Sequence, residues 1–422
     1  MASGAVLLES ALTLEDLSGA CNRRSLVLRI LTLPLHRIPS AFQGLYGLRP
    51  SYNRVPCTIS LLQTFSSVLN NFHPDSGSAN SMYGQEAIPS VLGPISSSVS
   101  ALKIFIKAVA ESKPWLYDPT ALRLPWNEEA YQLGEHGGAG AKLCFAFMAD
   151  DGVCKPMPPY FRAIEKTKKA LIAAGHTGAF SPSLSRNVAN SSRPSQSSIT
   201  PSPTPQRECS SSCVLFSSLL SRTNPTQLDI FTADGGVDIA TSCALSGEPQ
   251  TGWMMPVPGL EHVNTYAYWQ ICLARTTFIK KQLDALQATV AISGTGRPVD
   301  AVICPPSPHA SERLGQKQYL YYTGYSNLTD YTTSVFPVTA VDPSVDVKVP
   351  AHEFRSEADK MVYDLCTFIS PSFGIRFTKL RADEPEVYRD APISLQCVGR
   401  KNEEEAVIRF VSFAVHCFVG VF

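Results

Sequence analysis

Apolar runs alternate with amphipathic stretches along most of the chain, and this alternation constrains the fold more than any other feature. Residues 99–111 carry apolar side chains at helical spacing, and residues 142–148 then form a short apolar run. A second helix is predicted over 160–175, where the periodic pattern follows two prolines and stops at Gly175. Because strands this apolar need cover on both faces, the pattern predicts an α/β sandwich with a mainly parallel sheet.

The second half of the chain repeats the alternation. A long amphipathic stretch from about Tyr266 to Val290 predicts a helix, and residues 299–306 predict a buried strand that ends at two prolines. A strand over 394–399 and a helix over 403–415 follow. Both halves therefore favour the same class of fold.

Residues 181–224 interrupt this regularity. They contain 15 serines and 5 prolines, and Glu208 is their only acidic residue. A segment of this composition cannot bury enough apolar surface to form a packed core. We therefore expect a disordered tract or a very long loop at this point, either as a genuine insertion or as misframed coding sequence.

The overall charge argues against two classes of partner. The chain has 36 basic and 36 acidic side chains, so it offers no net attraction to nucleic acid or to an anionic membrane. No apolar run approaches the roughly 18 residues of a spanning helix. The 12 cysteines include no CxxC pair, and no convincing export signal accompanies them, so a cytoplasmic protein is expected.

Several sequence blocks occur in an order that resembles the fungal acetamidase and general amidase branch of the amidase-signature family. The blocks are residues 37–51, 84–95, 113–116, 124–130, 233–236, 294–305, 331–338 and 390–400. The resemblance implies a mixed central sheet flanked by helices, with part of the family's N-terminal portion missing. It also divides the chain into an unmatched segment 1–36, an amidase-like region 37–180, the Ser/Pro-rich tract 181–224 and a second amidase-like region 225–422.

The resemblance also implies a chemistry, which is amide hydrolysis by a Ser, cis-Ser, Lys triad. In such a triad a neutral lysine acts as base, the middle serine relays the proton and the second serine attacks the carbonyl carbon. The substrate class would be a small carboxamide, and no cofactor is implied. The oligomeric state is left open.

The triad positions do not hold these residues. The block that begins at Arg37 should follow the nucleophile closely, and Leu35 occupies the nucleophile's place. Leucine has no lone pair with which to attack, and Pro34 lacks an N–H group for an oxyanion turn. The first lysine of the sequence is Lys103, whereas the family's catalytic lysine precedes the nucleophile. We therefore predict no catalytic residue: the chain is an amidase by resemblance but is expected to be inactive, and the alternative is a non-catalytic amidase remnant or an interaction protein.

Other residues receive weaker expectations. Pro305, Pro306 and Tyr325 are candidates for lining a substrate pocket, because the ends of strands border ligand crevices in open α/β sheets. The prolines could equally terminate a strand, and the tyrosine could stack in the core. The histidines and cysteines show no spaced ligand set, so no metal site is expected. Cys144 and Cys304 are expected to be small core hydrophobes.

A shift of reading frame would explain the missing signature. Read from the third base of the Ile30 codon, permissible codons for residues 30–36 spell Ser/Thr-Asp-Ile-Ala-Ala-Ser, which is close to the family's sequence at the nucleophile. We therefore predict that genomic and transcript sequence contains this alternative frame. Transcripts in which no frame encodes such a motif would refute the explanation.

Overall fold

The computed structural model describes residues 6–8, 26–31, 37–56, 85–180, 228–247, 261–311, 319, 321–346, 351–364 and 388–419. The Ser/Pro-rich tract 181–224 lies outside the described residues, and so does Leu35. None of the helices within the described ranges is both long and apolar enough to cross a membrane.

Nine strands in the described residues form one sheet. They are β1 Val6–Leu8, β2 Leu26–Leu31, β3 Tyr46–Arg49, β4 Val91–Ser96, β5 Cys144–Phe147, β6 Thr177–Phe180, β7 Ala301–Cys304, β8 Thr333–Ala340 and β9 Pro392–Val398. The α-helices are α1 Arg37–Phe42, α2 Val99–Glu111, α3 Glu128–Tyr131, α4 Pro158–Ala173, α5 Val237–Ser246, α6 Thr265–Ala288, α7 Val290–Ser293, α8 Tyr321–Thr329, α9 Glu357–Asp364 and α10 Glu404–Val419. Short 3-10 helices span Pro114–Leu116 and Gly134–His136.

The strand order is β1-β2-β4-β3-β8-β9-β7-β5-β6. Only β5 pairs in parallel with its neighbours β6 and β7, and every other described pairing is antiparallel. The mixed sheet flanked by helices is confirmed, and the expectation of a mainly parallel sheet is wrong. Continuous apolar strands indicated burial on both faces correctly, but burial alone does not fix the direction of pairing.

The sheet extends into the segment that precedes Arg37. Strand β2 pairs along its length with β4, with Val27 opposite Ile95 and Leu31 opposite Val91. Strand β2 therefore covers an edge of β4 that would otherwise be unpaired.

Local signals in the sequence account for the helix boundaries. Helix α2 coincides with the predicted span, and Ser98 caps it by accepting a hydrogen bond from the Ala101 amide at 3.3 Å. Helix α4 begins at Pro158, where the missing N–H group costs nothing. Asn264 caps α6 through the Ala267 amide at 2.9 Å.

Alternate side chains of the central strands serve different cores. In β5, Phe145 and Phe147 face a core that includes buried residues of α2, α4 and α10. Cys144, and Cys304 of β7, face the opposite core beneath α6 and α8. Both cysteines are 1% exposed, so their prediction as core residues is confirmed. This period-two division gives a sheet covered on both faces.

A buried charge cluster fastens residues 51–54 to the start of α10. Arg54 places Nη2 2.5 Å from Glu405 Oε1 and Nε 3.3 Å from Glu404 Oε2. Glu404 also accepts hydrogen bonds from the Ser51 amide at 2.8 Å and from the Thr332 hydroxyl at 2.8 Å. The two acidic side chains lie at the helix N-terminus, where the helix dipole favours negative charge.

We expect Arg54→Ala to destabilise the fold strongly, because it leaves two buried carboxylates without a cation. The expected loss in the free energy of unfolding is about 3–5 kcal/mol, measured by urea denaturation. Lys107→Ala is the control, since its i,i+4 pair with Glu111 is exposed and is worth below about 1 kcal/mol. Equal effects of the two substitutions would contradict this account of the cluster.

Candidate functional site

The candidate site lies at the carboxyl ends of β5 and β7. These strands pair through residues 145–147 and 301–303, so the loops that follow them meet at one edge of the sheet. The Met148 amide donates to the Ile303 carbonyl at 3.0 Å, and the Met157 amide donates to the Pro308 carbonyl at 2.8 Å. The structure therefore brings residues 148–157 and 305–310 together.

Helix α1 packs at the same edge. Ser394 of β9 donates its hydroxyl hydrogen to the Ala41 carbonyl at 3.0 Å, and the ring of Phe42 lies 6.2 Å from the imidazole of His309. The helix begins at Arg37, shortly after the position at which the resemblance places a nucleophile.

The Arg37 guanidinium is buried among neutral oxygens. It is 1% exposed, and it donates to the Thr323 carbonyl at 2.8 Å, to Asn327 Oδ1 at 2.5 Å and to the Ser326 hydroxyl. Among the described residues no carboxylate forms an ion pair with it. Burial, together with the charge of Arg49, lowers the pKa of Arg37 well below its usual value. Arg37 thus serves as a structural donor to a backbone carbonyl and to side-chain oxygens.

Gln396 of β9 connects Arg37 to the loop after β7. Its Oε1 lies 3.4 Å from Arg37 Nη1, and its Nε2 donates to the Pro305 carbonyl at 3.0 Å and to the Tyr322 carbonyl at 2.9 Å. The amide thus joins three elements of the edge. Its N–H donors and its carbonyl acceptor are all hydrogen-bonded within the protein, so its role at this edge is structural.

The structure places the candidate pocket residues at both ends of β7. Pro305 and Pro306 are buried at the carboxyl end of β7. Tyr325 instead lines a cavity of about 10 Å³ with Val299 and Val302, near the start of that strand. A cavity of this size has room for about one water molecule and not for a carboxamide.

The serines of the matched blocks have structural partners. Ser51 Oγ lies 2.9 Å from Thr332 Oγ1 and accepts a hydrogen bond from the Asn402 amide at 2.7 Å. Ser96 Oγ accepts from the Ser98 amide at 3.3 Å. The Lys103 ammonium lies 3.7 Å from the ring centroid of Tyr131, where it makes a cation–π contact. The Ser51 and Ser96 hydroxyl groups thus take part in local hydrogen bonding.

A second polar cluster lies beside the site, around Asp151. Asp151 is 4% exposed; one carboxylate oxygen accepts from the Tyr319 hydroxyl at 2.5 Å, and the other from the amides of Val153 and Cys154 at 2.9 and 2.8 Å. The Tyr322 hydroxyl donates to the Cys154 carbonyl at 2.7 Å. Burial raises the pKa of Asp151 to about 6, although these hydrogen bonds favour the ionised form. In the described ranges no group of three or more His, Cys, Asp or Glu side chains is arranged to hold a metal ion.

The family model for amidases matches residues 36–188 and 247–408, which is most of the chain. The chain belongs to the amidase family. Among curated relatives, an acetamidase of Aspergillus oryzae is 28% identical over 89% of this chain, and an acetamidase of Emericella nidulans is 29% identical over 88%. The chain spans about half the length of these relatives, namely 56% and 55%.

Solved structures agree on the fold of this amidase-family chain. A fatty acid amide hydrolase superposes with a TM-score of 0.66 at 19% sequence identity, covering 93% of this chain and 56% of that protein. A 6-aminohexanoate cyclic dimer hydrolase gives a TM-score of 0.51 at 13% identity, with 93% and 64% coverage. At these identities the likeness establishes the fold alone.

Sequence reasoning missed the Asp151 cluster in this amidase-family chain. Asp150 and Asp151 lie just after the apolar run 142–148 and belong to no recognised motif. Asp151 contacts Tyr319 and Tyr322, which lie more than 160 positions away in the sequence. No local spacing of residues could therefore predict the contact. One signal in the sequence could have indicated this cluster. Two acidic residues follow a buried strand closely, and that position places their side chains at the carboxyl end of the strand.

The buried carboxyl group of Asp151 should make the free energy of unfolding depend on pH. Its pKa is raised from 3.8 to about 6, so the folded state binds the proton more tightly than the unfolded state. The stabilisation is therefore fully present below about pH 4 and is lost as pH rises through about 6, a change of about 3 kcal/mol from this group. Urea denaturation of Asp151→Asn should lack this slope and show greater stability at about pH 7.

Asp284→Asn is the matched control, because Asp284 lies 60% exposed in its pair with Lys280. It should preserve the wild-type dependence on pH. If Asp151→Asn also leaves that dependence unchanged, the raised pKa of Asp151 is wrong.

Proposed function

We propose that residues 1–422 form the scaffold of a carboxamide hydrolase and do not themselves hydrolyse amides by the serine mechanism. The observation that carries the proposal is Leu35, which stands where the matched sequence calls for the nucleophile. An alkyl side chain cannot form an acyl-enzyme intermediate with a carbonyl carbon.

The contacts of the described residues support this proposal. Ser51 and Ser96 use their hydroxyl groups to hold local structure, and Lys103 packs on Tyr131. A serine nucleophile needs a base within hydrogen-bond reach, and these serines contact hydroxyl and amide groups. No replacement for the triad is therefore evident among these residues.

The second candidate is turnover of a small carboxamide to a carboxylate and ammonia by a Ser, cis-Ser, Lys mechanism. The family membership and the acetamidase names of the relatives favour this chemistry. The amide would bind at the edge beside Pro305 and Pro306. In either case we propose a cytoplasmic protein that binds neither nucleic acid nor membranes, in keeping with its balanced charge.

Ammonia release separates the two candidates. We expect purified protein to release no ammonia above the buffer blank from acetamide, from longer aliphatic amides or from benzamide, while an acetamidase relative prepared in parallel does so. A fluorophosphonate probe, which labels activated serines, should leave the protein unlabelled. Ammonia release that this probe abolishes while labelling the protein would establish the second candidate.

A further inference from the structure

Helix α6 carries an apolar patch on the side that faces water. The patch consists of Tyr266, Trp269 and Leu273 of the helix, which are 68, 62 and 58% exposed, and of Val263 just before the helix, which is 37% exposed. The opposite side of α6 is packed: Phe278, Gln282, Ala285 and Leu286 are buried.

The spacing makes these residues one continuous surface. Positions 266, 269 and 273 are three and four residues apart, so their side chains lie along one side of the helix. Exposed large side chains are ordinary when they are scattered, but two aromatic rings and two aliphatic groups in a row are typical of an interaction surface. None of the elements described above covers this patch.

Charges on either side of the patch indicate what covers it. Exposed Glu261 precedes the patch and exposed Lys281 follows it, while the neighbouring Lys280 is paired with Asp284 at 2.5 Å. A two-fold axis near Trp269 runs two copies of α6 antiparallel, with Tyr266 of one copy facing Leu273 of the other. The same rotation would bring Glu261 of each copy toward Lys281 of the other, twice in one symmetric interface.

We infer that the α6 patch is a self-association surface whose occupant is the α6 patch of a second copy of this chain. A surface flanked by both signs of charge matches its own two-fold image better than it matches an anionic membrane or nucleic acid. Aromatic side chains bury about 150–250 Å² each when fully covered, and the patch residues are 37–68% exposed, so two patches bury on the order of 1,000 Å² in total. That area is at the lower end for specific interfaces, and it predicts a dimer that forms reversibly with concentration.

Sedimentation velocity over about 1 to 100 µM protein tests the inference. We expect the weight-average sedimentation coefficient to rise from the monomer toward the dimer value. Trp269→Glu should weaken association at least tenfold. Leu116→Glu makes the same change at a residue that is 65% exposed on another surface, and it should leave association unchanged. Circular dichroism of both variants verifies that they remain folded.

Charge reversal tests the two-fold arrangement itself. Glu261→Lys alone and Lys281→Glu alone should each weaken association, and the double variant should recover it, because opposite charges face each other again. A monomer at every concentration overturns the inference. Association that resists Trp269→Glu, or a double variant as weak as the single ones, overturns it as well.

Discussion

Three buried guanidinium groups hold residues 37–56 in place, and the arrangement of the candidate site depends on them. Arg37 donates to oxygens of α8, Arg49 forms an ion pair with Asp330 at 3.0 Å, and Arg54 bridges Glu404 and Glu405. A buried cation without partners costs several kcal/mol, so each neighbouring element must present oxygen atoms at a fixed place. These contacts fix α1 and β3 relative to α8 and α10.

Helix α8 shows what this requirement does to a neighbouring element. Thr323, Ser326 and Asn327 are buried, although residues of these types usually lie at the surface. The carbonyl of the first and the side chains of the other two accept from Arg37. An apolar helix at this position would pack well and would leave the cation unsatisfied. The polarity of α8 is therefore a consequence of the burial of Arg37.

Elements with a local sequence pattern could be predicted from the sequence. Elements that depend on contacts with distant parts of the chain were missed. Helix α2 was predicted over its whole length, and β5, β7 and β9 were found within a few residues. Strands β4 and β8 were missed because each contains a proline, Pro94 and Pro337, which reads as a break. In β8 the ladder tolerates Pro337, because the register with β9 shifts there and the pairing with β3 ends at Val335. At the site, the partners of Arg37, Gln396 and Asp151 come from distant positions in the sequence. Local patterns therefore could not predict these contacts.

The matched ranges contain many residues whose role is structural. The matched ranges begin at residue 36 and include Arg37, Arg49, Ser51, Gln396 and Glu404, whose observed contacts serve packing. A chain must keep such groups satisfied in order to fold, whether or not it turns over a substrate. Catalysis needs in addition a nucleophile and a base, and Leu35 provides neither. The requirements for folding and for chemistry thus rest on different residues.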